Sequence, residues 1–551
     1  MTPDRDAHED NPNLCGSRFP RRTFLGGAGA LLLASMAGVR SAAENTAAAS
    51  PLGTLPARPN IVVIITDQER QPMYWPEGWA EQNLPNRRRL ADRGLSFTRS
   101  FCNSAMCSPS RSTFFTGLYP AQHGVTSTLT EGGTLSPTEP QLQVGEQNIA
   151  KVLASAGYDV HYRGKWHMSK GADGGEPTSE DLAAYGFDGW IPPEAGQDTD
   201  PAHFGGGCVD HDGRIAQQAA EFLGNVDTSG GRPFALVVSF ANPHDILAYP
   251  QTWNQQNGDC DNYGSVAPEC FEQGIDLPPT VDEILALNHK PTAQVQSALL
   301  IGGALGPLIG DQQKKNYVNF YAYVQKVVDR HIGTVLDAME ARPGLLDRSL
   351  IIRMSDHGEM GLSHGGLRQK VFNAYEETTR VPLVISNPVL FPQPVKTDVL
   401  ASLIDVMPTL ATLADVPDRS AWTFRGTDLT PVISAAVTNP GLPAAPVQDT
   451  LHFTYDDQNP GAPNGQTIVT EPSHIRAIRD NRWKYVMYFD PAGMMPPQYE
   501  LYDLHEDPFE LHNRASPFNV GYYDPEQAAA MHAKLFEVMA SKGTTPARGT
   551  A

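Results

Sequence analysis

The chain has 551 residues, of which 62 are Asp or Glu and 41 are Lys or Arg, so its formal net charge at pH 7 is −21. This length suffices for one large α/β domain with a smaller domain appended, and an apolar fraction of 40% allows a sizeable core. So acidic a chain is not expected to bind nucleic acid or an anionic membrane surface, and it would repel a polyanionic substrate unless its pocket is locally basic.

The first 43 residues have the pattern of an export leader. Arg21 and Arg22 form a twin-arginine motif, residues 26–39 are uncharged and rich in Ala, Gly and Leu, and small residues at 41–43 offer a cleavage site. We therefore expect a twin-arginine signal peptide over 1–43 and a linker over 44–58. A membrane anchor is the alternative, but no later segment reaches the roughly 18 apolar residues of a span, so no stable membrane insertion is expected.

The first predicted element after the linker is a buried parallel strand. Residues 60–67 form an apolar, β-branched run that ends in Asp67. Ligands of open α/β sheets gather at the carboxyl edge of the strands, which makes Asp67 a candidate metal ligand, with a helix-capping role as the alternative. Gln68 follows and could offer a carbonyl oxygen. A helix over 84–93 and a strand over 95–101 then lead to the next motif.

That motif is Cys107-Ser108-Pro109-Ser110-Arg111, followed by Thr116-Gly117. Ser110 could cap a helix that begins just after the cysteine, which would place residue 107 at a helix N-terminus where an anion is favoured. Arg111 would add a fixed cation beside it. The pattern predicts a nucleophile that faces an oxyanion, and a free or disulfide-bonded loop cysteine is the alternative.

These residues resemble the sulfatase signature C-x-P-S-R-x-x-x-x-T-G at every fixed position, and the resemblance extends from about residue 60 to about residue 513. The chain is similar to type I, formylglycine-dependent sulfatases of the alkaline phosphatase superfamily. This implies an α/β fold with a large, mostly parallel sheet flanked by helices and a smaller C-terminal antiparallel sheet. It also implies that a formylglycine-generating enzyme oxidises Cys107 to 3-oxoalanine (Cα-formylglycine), in the cytosol before export to the periplasm, cell envelope or medium.

Two further blocks follow predicted strands. The strand over 158–163, preceded by a helix over 147–156, ends at the segment Gly164-Lys165-Trp166-His167, which resembles the family's G-K-W-H block. The strand over 234–240 delivers His244. The resemblance implies that Lys165 neutralises sulfate oxygens, that His167 lies near the formylglycine hydroxyl, and that His244 faces the bridging ester oxygen. A solvated surface role for Lys165 and His167 and a structural role for His244 are the alternatives.

Residues 246–315 fit no regular alternation of strands and helices, and we expect an inserted loop region that borders the mouth of the site. Outside the leader and Cys107, four cysteines remain: Cys102, Cys208, Cys260 and Cys270. Cys260 and Cys270 flank a short polar loop and are the favoured disulfide, although sequence alone does not determine the pairing. A long helix is predicted over 317–341.

A strand over 348–355 ends at Asp356-His357, which is predicted to be the second pair of metal ligands because the backbone turns sharply at a strand end. Lys370 and the following Tyr375-Glu376 and Arg380-Val381-Pro382 resemble another family block, and this implies that Lys370 binds sulfate opposite Lys165. Glu376 and Arg380 are expected to form a structural ion pair. His364 is expected to shape its glycine-rich loop, with a ligand role as the alternative.

A helix over 400–415 is expected to close the large domain. Alternation over 476–489, with a turn at Asp480-Asn481, predicts a strand pair, and residues 500–510 resemble the family's closing block E-L-Y-D-L-x-x-D-P-x-E. We expect a catalytic domain over 59–438 and a C-terminal subdomain over 439–551, with an antiparallel sheet and a terminal helix over 525–540.

The resemblance implies one reaction for these residues. The expected metal ligands are Asp67, modified Cys107, Asp356 and His357, and the expected catalytic residues are Cys107, Arg111, Lys165, His167, His244 and Lys370. Such oxygen-rich donors favour Ca²⁺, with Mg²⁺ or Mn²⁺ possible. The hydrated aldehyde would attack sulfur, and the lysines and the metal would stabilise the charge on the sulfuryl oxygens. His244 or Lys370 would protonate the departing alcohol. His167 would then help the diol collapse and expel sulfate.

The predicted function is therefore that of an arylsulfatase-like sulfuric ester hydrolase acting on a small-molecule or sugar sulfate. A phosphonate monoester or phosphodiester hydrolase of the same superfamily is the closest alternative, and a non-catalytic secreted binding protein is the third. We also expect Arg111→Ala to remove most activity with little loss of fold.

Overall fold

The computed structural model describes residues 53, 55, 58–130, 139–227, 231–458, 460 and 469–547. The predicted leader and most of the predicted linker lie outside the described residues. Residues 48–551 form one compact unit, so the domain boundary expected after residue 438 stays a prediction. In the part of the chain that the structure describes, no helix is both long and apolar enough to cross a bilayer.

The described strands fall into three sheets. In chain order they are β1 Asn60–Thr66, β2 Gly94–Phe97, β3 Ser100–Phe101, β4 Asp159–Gly164, β5 Phe234–Ser239, β6 Ser349–Ser355, β7 Leu383–Ser386, β8 Val395–Thr397, β9 Ala401–Ser402, β10 Leu451–Tyr455, β11 His474–Arg479, β12 Trp483–Phe489 and β13 Gln498–Asp503.

The helices connect and cover these sheets. They are α1 Trp79–Asn83, α2 Pro85–Asp92, α3 Cys107–Thr116, α4 Pro120–His123, α5 Ile149–Ser155, α6 Ser179–Ala184, α7 His211–Asn225, α8 Thr292–Ala304, α9 Gly310–Glu340, α10 Ser363–Gly366, α11 Glu376–Thr379, α12 Val406–Leu413, α13 Thr430–Thr438 and α14 Pro525–Lys542.

The large sheet is mixed and mostly parallel, as the resemblance implied. Its seven strands lie in the order β4-β5-β1-β6-β7-β2-β8. Strands β4, β5, β1 and β6 are mutually parallel, whereas β7 runs antiparallel to both of its neighbours. Because the four parallel strands end at the same edge, the segments that follow them converge there.

Helices pack on both faces of this sheet. Ile61, Val63 and Ile65 of β1 belong to one hydrophobic cluster, with residues of α5 and α12, and Val62 and Ile64 belong to another, with residues of α7 and α9. This alternation follows from the two-residue period of a strand. Both faces are apolar, which explains why the sequence of β1 is a continuous apolar run.

The C-terminal part forms an antiparallel four-stranded sheet in the order β10-β11-β12-β13. Helix α14 packs Met531, Leu535 and Met539 against Tyr485 and Met487 of β12. The strand pair expected over 476–489 and the terminal helix expected over 525–540 are both confirmed, and so are the strands that precede the four predicted site segments.

Three expected elements differ in the structure. The strand expected over 95–101 is divided into β2 and β3, which lie in different sheets. The helix expected over 400–415 is shorter because Ser402 and Asp405 form a capping box, in which the Asp405 carboxylate accepts from the Ser402 backbone N–H at 2.7 Å. The region expected to be loop over 246–315 contains α8, whose Gln294 donates to Tyr488 Oη at 2.8 Å in the C-terminal sheet.

The favoured disulfide was wrong. Cys260 pairs with Cys208, with a Cα–Cα separation of 6.3 Å. Cys270 instead is a free thiol that lies fully buried in an apolar cluster with Tyr249 and Tyr263. Proximity in sequence favoured Cys270 as the partner, but the fold brings Cys208, 52 residues away, to Cys260.

Candidate active site

The site begins with the helix that carries Cys107. Helix α3 starts at Cys107 itself, after Met106, whose φ of 69° places it in the left-handed region. The predicted helix N-terminus is therefore confirmed, but Ser110 is not its cap. Ser110 Oγ instead donates to the backbone oxygen of Asp356 at 2.5 Å, which joins the cysteine helix to the segment that follows β6.

Four side chains expected to bind a metal converge at the carboxyl edge of the sheet. Cys107 Sγ lies 3.6 Å from Asp67 Oδ1 and 3.3 Å from His357 Nε2. His357 Nε2 lies 3.7 Å from the Oδ1 atoms of both Asp67 and Asp356. One ligand atom of each of the four residues lies within 4.8 Å of the others, and all four side chains are buried. The arrangement can surround a single ion.

Charge in this cluster is balanced by buried cations. Burial would raise the pKa of Asp67, but Lys165, whose Nζ is 2.6 Å from Asp67 Oδ2, holds it well below its usual range. Burial, together with the charge of Asp67, raises the pKa of Asp356 to about 6. Two carboxylates held this close together require positive charge beside them to stay ionised.

Arg111 is completely buried, and its guanidinium forms hydrogen bonds with this scaffold. It donates to Asp356 Oδ2 at 3.0 Å, to the Trp166 backbone oxygen at 3.1 Å and to the Lys165 backbone oxygen at 2.6 Å, and it also bonds Ser239. These contacts fasten the ends of β4, β5 and β6 to helix α3. They are at odds with the expectation that Arg111 can be removed with little loss of fold.

The Gly164–His167 segment directs Lys165 into the site and His167 toward its rim. Lys165 Nζ lies 3.9 Å from Cys107 Sγ. His167 Nε2 lies 2.9 Å from the Leu129 backbone oxygen, and among the hydrogen bonds of the described residues none joins His167 to Cys107. Burial and the charge of Lys165 lower the pKa of His167 to about 4, so its imidazole is neutral at pH 7.

His244 follows β5 and is buried at the same edge. Burial and the charge of Lys165 hold its pKa well below the usual range, while Asp67 opposes that shift. His244 Nδ1 is buried and has no hydrogen-bond partner in the described part of the chain. A neutral imidazole with a free polar atom can receive or donate one hydrogen bond to a bound molecule.

Lys370 is positioned by two amide side chains. Its Nζ donates to Gln68 Oε1 at 2.6 Å and to Gln369 Oε1 at 3.4 Å. Gln68 therefore orients the lysine, and the side-chain oxygen that Gln68 could offer to a metal accepts this hydrogen bond.

Sequence reasoning missed Glu194, which lies outside every recognisable motif. Its Oε1 accepts from the Trp166 N–H at 2.7 Å and from the His167 N–H, so it holds the backbone of the segment that carries Lys165. Residue 194 belongs to a stretch without periodicity or known pattern, and nothing in the sequence indicated it. The orienting role of Gln369, next to Lys370, was missed in the same way.

Four residues of the site have strained backbone. Gln68, Met106, His167 and Gln369 have φ values of 67°, 69°, 50° and 68°. A non-glycine residue in the left-handed region costs on the order of 1–3 kcal/mol, and such residues are common at functional sites. Three of the four lie next to a residue expected to bind or react, and the fourth, His167, is itself such a residue.

The expected ion pair between Glu376 and Arg380 does not form. Glu376 instead pairs with Arg479 at 3.2 Å and Lys484 at 3.0 Å, both from the C-terminal sheet. Arg380 turns away and donates to the Thr98 backbone oxygen at 2.6 Å. The carboxylate thus fastens the C-terminal sheet to the block that follows Lys370.

Comparison with known proteins agrees with this geometry. Residues 59–416 match the family model described as Sulfatase, and residues 364–541 match the one described as N-sulphoglucosamine sulphohydrolase, C-terminal. Choline-sulfatase of Rhizobium meliloti is 28% identical over 484 residues, which cover 83% of this chain and 82% of that protein.

Two solved structures share the fold. BT4656 in complex with its substrate D-glucosamine-2-N,6-O-disulfate has a TM-score of 0.64 and 21% identity, over 89% of this chain and 99% of that one. The phosphonate monoester hydrolase of Agrobacterium radiobacter has a TM-score of 0.60 and 22% identity, over 88% and 96%.

Proposed function

Because the chain belongs to the sulfatase family, we propose that it hydrolyses sulfuric esters at the cluster around Cys107, after that cysteine has been converted to formylglycine. The observation that carries the proposal is the convergence of Asp67, Cys107, Asp356 and His357 in one buried cluster. The sulfatase activity follows from the family, whereas the roles of individual residues are our proposal.

The cluster fits a divalent metal by its donors. Asp67 Oδ2 is buried and, within the described residues, accepts no hydrogen bond despite its ion pair with Lys165. Two carboxylates, one imidazole and an oxygen-bearing residue 107 suit a hard cation, of which Ca²⁺ fits best and Mg²⁺ or Mn²⁺ also fits. Asp67, Asp356, His357 and residue 107 would hold the ion, which would polarise the sulfuryl oxygens when bound.

The chain's own cations provide the remaining stabilisation of charge. Lys165 and Lys370 are both buried, so their ammonium groups act in a medium of low dielectric, where preorganised charge stabilises a transition state most strongly. Gln68 and Gln369 restrict Lys370 to one position. The aldehyde of formylglycine, once hydrated, would supply one hydroxyl to attack sulfur and a second to expel sulfate.

The two histidines, His167 and His244, would have different roles in the reaction. His167 is neutral at pH 7 because its pKa is lowered to about 4, so it can accept a proton from the second hydroxyl. His244, also held neutral, can donate one hydrogen bond to the bridging oxygen, which leaves Lys370 as the group that gives the departing alcohol its proton.

We propose that the alcohol half of the substrate enters a cavity of about 280 Å³ beside His167. Eight of its twelve lining residues have polar or charged side chains, among them Thr130, Lys170, Glu176 and Gln197. Such a lining suits a hydroxyl-rich alcohol, such as a sugar, better than an apolar aryl group. The phosphonate alternative rests on the shared fold alone.

Export by the twin-arginine route to the periplasm, envelope or medium is part of the proposal. It is supported by the Arg21-Arg22 pattern and by the Cys208–Cys260 disulfide, which suits an oxidising compartment. The proposal also includes a formylglycine-generating enzyme as the partner that converts Cys107 before export.

Mass spectrometry and a serine variant test the proposal together. The peptide that contains residue 107 should be lighter than its cysteine form by about 18 Da. Cys107→Ser should stop turnover or trap a sulfated enzyme, because a serine sulfate lacks the second hydroxyl that expels sulfate. An unmodified thiol in fully active enzyme, or a serine variant with wild-type turnover of 4-nitrophenyl sulfate, would contradict the proposal. A higher kcat/KM for a phenylphosphonate ester than for 4-nitrophenyl sulfate would favour the alternative substrate class.

A further inference from the structure

A second buried cluster shares no residue with the active site and is not used by the proposed reaction. It consists of His364, Glu377 and Glu510, here called the His364 cluster, and one ligand atom of each lies within 4.8 Å of the others. His364 lies in α10, Glu377 in α11, and Glu510 in the segment after β13. Three distant parts of the chain therefore bring one imidazole and two carboxylates together.

The orientation of His364 exposes one nitrogen to this cluster. Nδ1 lies 2.6 Å from Glu283 Oε2, and the ring stacks on Tyr375 with centroids 3.7 Å apart and an interplanar angle of 9°. The backbone N–H of His364 donates to Thr280 Oγ1 at 2.9 Å. A histidine that donates from Nδ1 to a carboxylate can bind a metal through Nε2 when the ion displaces the Nε2 proton, and metal-binding histidines commonly have such a carboxylate on their other nitrogen.

The Nε2 atom has no conventional partner. It lies 3.7 Å from Glu377 Oε2, and it has no hydrogen bond within the described residues. That distance is too long for a hydrogen bond. Two ligands of a tetrahedral ion, each about 2.05 Å from the metal, are about 3.4 Å apart, which is close to this separation.

The two carboxylates differ in their partners. Both oxygens of Glu377 are buried without a hydrogen bond in the part of the chain described, whereas Glu510 Oε2 accepts from the Glu376 backbone N–H at 2.8 Å. Lys484 Nζ lies 2.7 Å from Glu510 Oε1 but is shared with Glu376, whereas Glu377 has no ion pair shorter than its 3.7 Å contact with His364 among the described residues. Within the described residues neither Glu377 oxygen has a direct hydrogen-bond partner, and a cation placed between Glu377 and His364 would supply one.

We propose that the His364 cluster is a structural site for a divalent transition metal, and that Zn²⁺ is the ion that fits it best. One imidazole and two carboxylates form a donor set that zinc accepts, with a fourth position left for water. Glu283 is the outer carboxylate that orients His364. The ion would fasten the C-terminal segment at Glu510 to both ends of the stretch from 364 to 377, which carries Lys370.

Metal analysis of intact protein tests the site. Wild type, Asp67→Asn and Glu377→Gln are purified, equilibrated with Zn²⁺ and Ca²⁺, dialysed, and measured by inductively coupled plasma mass spectrometry. We expect about one zinc ion per chain in wild type and in Asp67→Asn, and a loss of about all of it in Glu377→Gln. Because Asp67→Asn disables only the active-site cluster, failure of that site would not alter the zinc result.

Two outcomes would overturn the proposal. One is a Glu377→Gln protein that retains the wild-type zinc content. The other outcome comes from a second measurement, which also serves if the variant fails to fold. Wild-type crystals grown with one equivalent of Zn²⁺ should give an anomalous difference peak among His364 Nε2, Glu377 and Glu510 at the zinc edge. A map with no peak there would show that the cluster holds only an imidazolium ion pair.

Discussion

Removal of Arg111 should unfold much of the active-site scaffold, not merely stop the reaction. The Arg111→Ala variant leaves the Asp356 carboxylate without its 3.0 Å partner and the Trp166 backbone oxygen without its donor, both in a fully buried place. The Lys165 backbone oxygen loses one of its two donors and keeps the hydrogen bond from Tyr162 Oη at 2.5 Å. Breaking a buried ion pair from one side costs about 3–5 kcal/mol, and each orphaned carbonyl costs about 1–3 kcal/mol. The sum is on the order of 4–8 kcal/mol, comparable with the roughly 5–15 kcal/mol that stabilises a typical domain.

The assay compares thermal unfolding of wild type, Arg111→Ala and Lys370→Ala by circular dichroism, alongside kcat for 4-nitrophenyl sulfate. Lys370→Ala is the matched control because it also removes one buried cation from the site, but among the described residues the Lys370 Nζ donates hydrogen bonds only to the amide oxygens of Gln68 and Gln369. We expect both variants to lose turnover and only Arg111→Ala to lose a large part of its stability. Equal unfolding temperatures for the two variants would refute the reasoning and return Arg111 to a purely catalytic role.

Two further predictions concern stability away from the site. Burial would lower the pKa of His474, but hydrogen bonds to Asp456 and Glu471 raise it to about 9. The folded value exceeds the unfolded value of about 6.5, so about 3 kcal/mol of stability is present below pH 6.5 and is lost as the pH rises through 9. Urea unfolding at pH 6, 7.5 and 9 should therefore show a steeper decline in wild type than in His474→Gln, and parallel curves would contradict the prediction. Cys208→Ser opens a cross-link that spans 52 residues, which should destabilise the protein by up to about 4 kcal/mol; reductant should lower the unfolding temperature of wild type but not of the variant, and an insensitive wild type would contradict this.

The parts of the fold that could be predicted from sequence are those determined by residues close together in the chain. The run over β1 is apolar at every position because both faces of the sheet are covered, and the acid that ends it could be placed at the sheet edge before any contact was known. The same holds for Asp356 after β6. Glu194 could not be predicted, because its function is to accept two backbone N–H groups from a segment 27 and 28 residues away in sequence.

The predictions for the disulfide and for the segment that forms helix α8 were wrong for a related reason. Both depend on what packs against them, namely the apolar cluster around Cys270 and the C-terminal sheet around Gln294. Neither surface has a signature within the segment itself. Strand ends and motifs therefore predicted the side chains that converge at the sheet edge, while the residues that orient them were visible only in three dimensions.

The charge balance of the site explains how so acidic a chain can bind an anionic substrate. The chain carries a net charge of −21, yet three buried cations, Arg111, Lys165 and Lys370, face two buried carboxylates, Asp67 and Asp356, at the sheet edge. A bound divalent ion would add two further positive charges, so the site itself attracts an anionic sulfate ester. Salt screens surface charge beyond about 8–10 Å, whereas buried charges at contact distance are screened far less. The acidic surface therefore disfavours long polyanions that must lie along it, while a small sulfate ester experiences mainly the positive site that receives it.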